Sequence, residues 1–152
     1  MRTKRPSRRS SFVAATLLLL TLSSSLAYGL ARRHIAWDGL LMGIGTSKIR
    51  GPIEMVGGKV LGTTLATVSY KGDTPEVSRP WHVHMGSCVK GGAIFGDASE
   101  YTPLRVDAKG TAEGKATLRV ALPDSGSFYV NIHESATNMK KVVACGDLLL
   151  ED

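Results

Sequence analysis

"SFYVNIH", residues 127–133, alternates without a break: Phe128, Val130 and Ile132 fall on one side of an extended chain, Tyr129, Asn131 and His133 on the other. A period of two is the signature of a half-buried strand. Upstream, "KATLRVAL" (115–122) sets Ala116, Leu118, Val120 and Leu122 against Thr117 and Arg119. Further back, "KVLGTTLATVSY" (59–70) places Val60, Thr64, Ala66, Val68 and Tyr70 on one face, and downstream "KVVACGDLLL" (141–150) carries Val142, Val143 and Cys145. Glycine-rich turn signals separate these runs: "GG" at 57–58, "KGD" at 71–73, "KGG" at 90–92, "DAKG" at 107–110 and "PDSG" at 123–126. Nothing after residue 40 reads as a helix. About seven or eight short strands spaced by turns predict an all-β sandwich or flattened barrel. Residues 32–42, "RRHIAWDGLLM", are ambiguous and are read as an N-terminal tether, with the β-domain over residues 43–152.

The first 31 residues have a different character. Arg2, Lys4, Arg5, Arg8 and Arg9 precede a leucine-rich apolar run from Phe12 to Leu22, and small residues follow at Ser25, Ala27, Gly29 and Ala31. A basic start, a short apolar stretch and small residues at the cut read as a secretory signal peptide over residues 1–31. The apolar run falls short of the roughly 20 residues that a membrane-spanning helix needs. The expected location is outside the cytoplasm, periplasmic or extracellular, with no stable membrane insertion once the leader is removed. Of 19 Lys and Arg against 13 Asp and Glu, the leader holds five basic residues and no acidic one, leaving 14 against 13. The rest of the chain is near neutral, so its charge gives no reason to expect a nucleic-acid partner.

Two cysteines, Cys88 and Cys145, in an exported chain favour a disulfide. A bridge closing a loop of that length would add about 4 kcal/mol on a chain-entropy argument.

The chain has four histidines, and two of them stand in "RPWHVHMGSC" (79–88). Read as a strand, residues 80–85 send Trp81, Val83 and Met85 into the core and His82 and His84 to the outer wall, roughly 7 Å apart. His133 points away from Val130 and Ile132 and faces outward as well. Three imidazoles on one wall suit a borderline metal, copper or zinc. Trp81 is expected to pack beneath the pair, and Pro80 to mark the strand start, where a missing N–H does no harm. Tyr101 and Tyr129 either line the metal face or cover sheet surface, and the second reading is favoured.

"WHVHMGSC", "YTPLRVDAKGTAEGKATL", "YVNIHES" and "VVACGDL", in that order, resemble the copper/zinc superoxide dismutase superfamily over roughly residues 43–150. The resemblance implies a Greek-key β-barrel with copper held on the outer wall by His82, His84 and His133. It also implies that Cys88 and Cys145 match the family's intrasubunit disulfide, tying the loop after the metal strand to the last strand. The chain departs from the family in specific places. No histidine lies between Met85 and Ile132, so the fourth copper ligand, which bridges to zinc, is missing together with the zinc site. Val142 stands three residues before Cys145, where the family has its catalytic arginine. The stretch from His133 to Cys145 is too short for the family's long electrostatic loop, and copper-only relatives that lack zinc keep the fourth histidine.

These features predict an exported copper-binding, superoxide dismutase-like protein with weak or no dismutase activity, acting on superoxide or on copper ions. One copper ion is the expected cofactor, with zinc less favoured; no catalytic residue is assigned. Met139 is a candidate thioether ligand and Lys141 a candidate for attracting an anion. A copper-buffering protein without turnover and a metal-free structural sandwich are the alternatives. A zinc hydrolase ranks low, because Glu134 next to His133 should point to the opposite face.

Overall fold

The computed structural model describes residues 35–151. The signal-peptide reading of residues 1–31 lies outside this range. Among the described residues nine strands make up the fold: β1 Ala36–Gly43, β2 Arg50–Gly57, β3 Thr64–Tyr70, β4 Ser78–Arg79, β5 Trp81–Met85, β6 Leu104–Arg105, β7 Ala112–Leu118, β8 Phe128–Ser135 and β9 Asn138–Glu151. A short 3-10 turn, Ala98–Glu100, is capped by Asp97, whose carboxylate accepts from Ser99 N.

Seven strands form one antiparallel sheet in the order β5-β8-β9-β1-β2-β3-β7, and β4 pairs with β6 in a small second sheet. The large sheet curls into a half-barrel, so the all-β barrel or sandwich expected from the alternation is what the chain forms. The last strand closes against the first, β9 beside β1. The connections from β3 to β5, from β5 to β7 and from β7 to β8 each cross from one side of the sheet to the other.

The core is built from inward positions of these strands. In β3, Thr64, Ala66, Val68 and Tyr70 are buried and the residues between them half-buried, as the period of two requires. Val60 is left out: it sits in the turn before β3 and is 67% exposed. Trp81, Val83, Val130 and Ile132 are buried against Leu41, Ile53, Met55 and Leu118. Trp81 donates from Nε1 to the Thr102 carbonyl (3.0 Å), and Trp37 to the Pro123 carbonyl (2.8 Å), so neither indole buries an unpaired N–H.

Residues 36–42 are not a tether. They are β1, paired with β2 through Ala36↔Val56 to Met42↔Arg50 and with β9 on the other side. Trp37 and Leu41 are buried inward residues, and Gly39 holds the inward position between them. A Cβ at Gly39 would lie 2.2 Å from the Asp147 carbonyl oxygen and 3.1 Å from the Ile53 side chain. The glycine that lets this central strand pack so closely also hides its apolar alternation.

Candidate metal centre

The three histidines come from two neighbouring strands. β5 sits at the sheet edge and pairs with β8 in the register Trp81↔Ile132, His82↔Asn131, Val83↔Val130 and His84↔Tyr129. Paired residues share a face, so His82 and His84 lie with Tyr129, Asn131 and His133 on the outside of the sheet. Between β8 and β9 the register shifts: Ile132 faces Ala144, but His133 faces Val142. The extra residue, Val143, is a bulge of the kind that re-aims side chains beside functional sites. His133 N then donates to the Pro80 carbonyl (2.9 Å), which ties the end of β8 to the start of β5.

The three imidazoles converge. One ligand nitrogen from each lies within 4.8 Å of the others, and His82 Nδ1 stands 3.3 Å from His133 Nε2. Two nitrogens bound to one ion at metal–nitrogen distances of about 2.0–2.1 Å, at a near-tetrahedral angle, would be separated by about 3.3 Å. His84 Nδ1 lies 3.0 Å from the Gly92 carbonyl. A carbonyl only accepts, so Nδ1 carries the proton and Nε2 is left with its lone pair. That Nε2 is buried without any hydrogen-bond partner, as is His133 Nδ1. Buried ring nitrogens rarely go unpaired; an unpaired one on a ring that neighbours two other imidazoles fits a metal ion.

The wall is not open to solvent as its outward parity implied. His82, His84 and His133 are 7%, 9% and 6% exposed. The chain after β5 turns at Gly86 (φ +111) and returns along the free edge. There Phe95 N donates to the Val83 carbonyl (2.9 Å) and Met85 N to the Ala93 carbonyl (2.9 Å). Tyr101 packs edge-on against His82 with ring centres 5.1 Å apart, and Tyr129 stacks on His84 at 5.0 Å. The tyrosines therefore line the site instead of merely covering sheet surface. Met85, expected in the core, is 46% exposed, because the strand ends there and Gly86 turns the chain away.

Burial lowers the proton affinity of all three rings. The His82 imidazole is pushed down to about 4, by burial first and then by the neighbouring His133 and His84. Burial also depresses His84 and His133. All three are neutral at neutral pH, the form that binds metal.

The cysteines form a disulfide, Cys88–Cys145, with Cα atoms 5.9 Å apart. Cys145 pairs with Asn131 across β8 and β9, and Cys88 N donates to Asp147 Oδ1 (2.8 Å). The bridge fastens the covering segment to the last strand a few residues before Gly92 meets His84. Among the described residues, no helix is long and apolar enough to cross a membrane.

Lys141 is ion-paired with Glu134, which also accepts from Asn138 Nδ2 (2.7 Å). The Met139 side chain is 37% exposed; its backbone carbonyl lies beside the His133 ring without reaching hydrogen-bond geometry.

Two contributors had no reading in the sequence as parts of the site. Gly92 supplies the carbonyl that orients His84, and a Cβ there would sit 1.6 Å from the Met85 oxygen, so only glycine fits. "KGG" signalled a turn, not a contact. Arg79, buried at 8% exposure, pairs with Asp73 (2.6 Å) and donates from Nη1 to the Glu134 carbonyl (2.6 Å), anchoring the backbone just after His133. Its place directly before "PWHVH" was the one available hint. No model of a known protein family matches this chain, and no curated protein matches it.

Proposed function

We propose that the protein is an exported copper-binding protein of the superoxide dismutase-like kind, holding one copper ion on His82, His84 and His133 and turning over superoxide weakly. One observation carries this reading: three neutral imidazoles meet under a cover, with His84 Nε2 unpaired and its Nδ1 held by Gly92. Copper in such a site supplies one-electron cycling between Cu(I) and Cu(II), the chemistry that dismutation of superoxide requires. The chain's own residues set the limits. Gly92 and Tyr129 lock the His84 ring; the disulfide holds the cover; Tyr101, itself packed edge-on against Trp81, supports His82 from the side.

Weak turnover follows from what surrounds the rings. Val142 replaces the family's arginine, and the Lys141 ammonium is engaged by Glu134. Steering and proton delivery then have no dedicated group, and the covered wall restricts entry. The zinc-hydrolase reading is disfavoured for a related reason: a water activated by zinc wants a free general base, and the Glu134 carboxylate is occupied by Lys141 and Asn138. Copper buffering without turnover is the second reading, favoured by the low exposure of the three rings.

Titration of the disulfide-formed protein with Cu(II), followed by electron paramagnetic resonance, tests the site. The expected result is one equivalent with several nitrogen ligands, lost in His82→Ala. Unchanged copper binding in His82→Ala would remove the three-histidine site and the function built on it. A superoxide assay on the copper form then separates weak dismutation from buffering.

A further inference from the structure

We infer that this site selects Cu(I) over Cu(II), so that the protein holds copper chiefly as the monovalent ion. The inference rests on the three-histidine copper reading and names the oxidation state that this set of donors favours.

The donor count comes first. His82, His84 and His133 are the group of His, Cys, Asp and Glu side chains found converging on one point among the described residues. Cu(II) prefers a tetragonal arrangement of four or more nitrogen and oxygen donors. Three imidazoles satisfy Cu(I) and leave Cu(II) in need of at least one more ligand. Among the described residues no further His, Cys, Asp or Glu side chain joins them, and two nearby oxygens are engaged. The Tyr101 hydroxyl donates to the Phe95 carbonyl (2.6 Å), and the Gly92 carbonyl is taken by His84 Nδ1. Both cysteines are consumed in the disulfide.

Charge comes second. The donors are neutral, and no carboxylate belongs to the cluster. Asp147 accepts from Cys88 N, and Glu134 is paired with Lys141. The cost of moving an ion out of water rises with the square of its charge, so a dication costs about four times as much as a monocation in the same place. With each ring at most 9% exposed, little of that cost returns through solvent.

Rigidity comes third. Cu(II) improves its geometry if ligands swing toward a plane. Here Tyr129 stacks on His84 with the ring planes inclined by 20°, and Tyr101 abuts His82 edge-on, while Gly92 fixes the His84 rotation. His82 and His84 each have a neighbour that resists the movement.

The test measures both affinities on the intact, disulfide-formed protein. Cu(I) is titrated without oxygen against a chromophoric Cu(I) chelator, and Cu(II) against an amino-acid chelator in air. Voltammetry of the copper form gives the reduction potential independently. Cu(I) is expected to bind at least about a hundredfold tighter, which raises the potential by about 120 mV above the aqueous couple, at 59 mV per tenfold for one electron. X-ray absorption of the Cu(I) form should show three nitrogen neighbours. One equivalent of Cu(II) bound as tightly as Cu(I) or more so, through the histidines, would overturn the selectivity and leave the site standing. Failure to bind either ion, or binding of both unchanged in His82→Ala and His133→Ala, would overturn the copper reading itself. The wild-type ratio decides the proposal even where a variant fails to fold.

Discussion

The outer face of β3 and the outer face of β5 are built on the same alternation and end in opposite states. Along β3 the inward Thr64, Ala66, Val68 and Tyr70 are buried, while Leu65, Thr67 and Ser69 stay partly open to solvent. Along β5 the inward Trp81 and Val83 are buried, and so are the outward His82 and His84. The difference lies in what packs on the outside. Residues 86–103 fold back over β5, carrying Gly92 and Tyr101 to the imidazoles, and the Cys88–Cys145 bridge secures the start of that segment. A strand's own pattern decides which side is apolar; a distant segment decides whether the polar side meets water.

The largest effect should come from cutting the cover loose. Replacing Cys88 and Cys145 by serine should cost about 4 kcal/mol on the chain-entropy estimate, measured by urea unfolding, and should give residues 86–103 additional amide exchange by local opening, beyond the loss that lowered global stability brings to β3. Equal loss of protection on both walls would mean that the bridge supports the whole barrel and not the covered wall in particular.

Acid should next expose the same asymmetry in the metal-free protein. The His82 imidazole is depressed from 6.5 to about 4 in the folded state. Between those values the unfolded chain takes up a proton that the folded chain refuses, so stability falls as pH falls. It is complete above about pH 6.5 and lost down to about pH 4. The contribution of this one ring is at most about 3 kcal/mol, read from unfolding midpoints across that range. His82→Ala should flatten the profile, and an unchanged slope in that variant would show that other groups dominate.

Gly92→Ala is a finer probe. Its Cβ would collide with the Met85 oxygen at 1.6 Å, so the segment must shift and the His84 Nδ1 contact with it. Loss of such an outer partner typically lowers metal affinity 10–100-fold, and a competition titration should find a decrease in that range. Unaltered affinity would show that the ring is held by Tyr129 stacking alone.

The smallest effect belongs to the open wall. Asp38 and Glu54 are directly paired across β1 and β2 on the outer face, where like charges repel. Glu54→Lys should stabilise by roughly 0.2–1 kcal/mol, with copper binding unaffected. A destabilisation would mean that this wall, too, carries a cover or partner.

Much of this was legible in the sequence wherever a single strand's alternation carried the message. β3, the inward half of β7 and β8 read correctly because Ala66, Val68, Leu118, Val130 and Ile132 mark one face without interruption. Val60 and Met85 misled for one reason: each continues the alternation past the point where a turn has already taken the chain out of the sheet. β1 was missed because Gly39 occupies an inward position and carries no side chain to count. For the site, the spacing His82-x-His84 and the outward parity of His133 were enough to name the three histidines that converge. The tyrosines and Arg79 were not, since their roles depend on partners far along the chain, such as His84 for Tyr129 and Asp73 for Arg79.

The sequence by itself determined the period-two strands, the side of each that turns inward and the identity of the three histidines, because these follow from local backbone geometry. Only the tertiary structure decided that β8 lies beside β5, that a bulge at Val143 aims His133 and that residues 86–103 bury the imidazoles. Those outcomes depend on contacts between segments tens of residues apart, which no local pattern records.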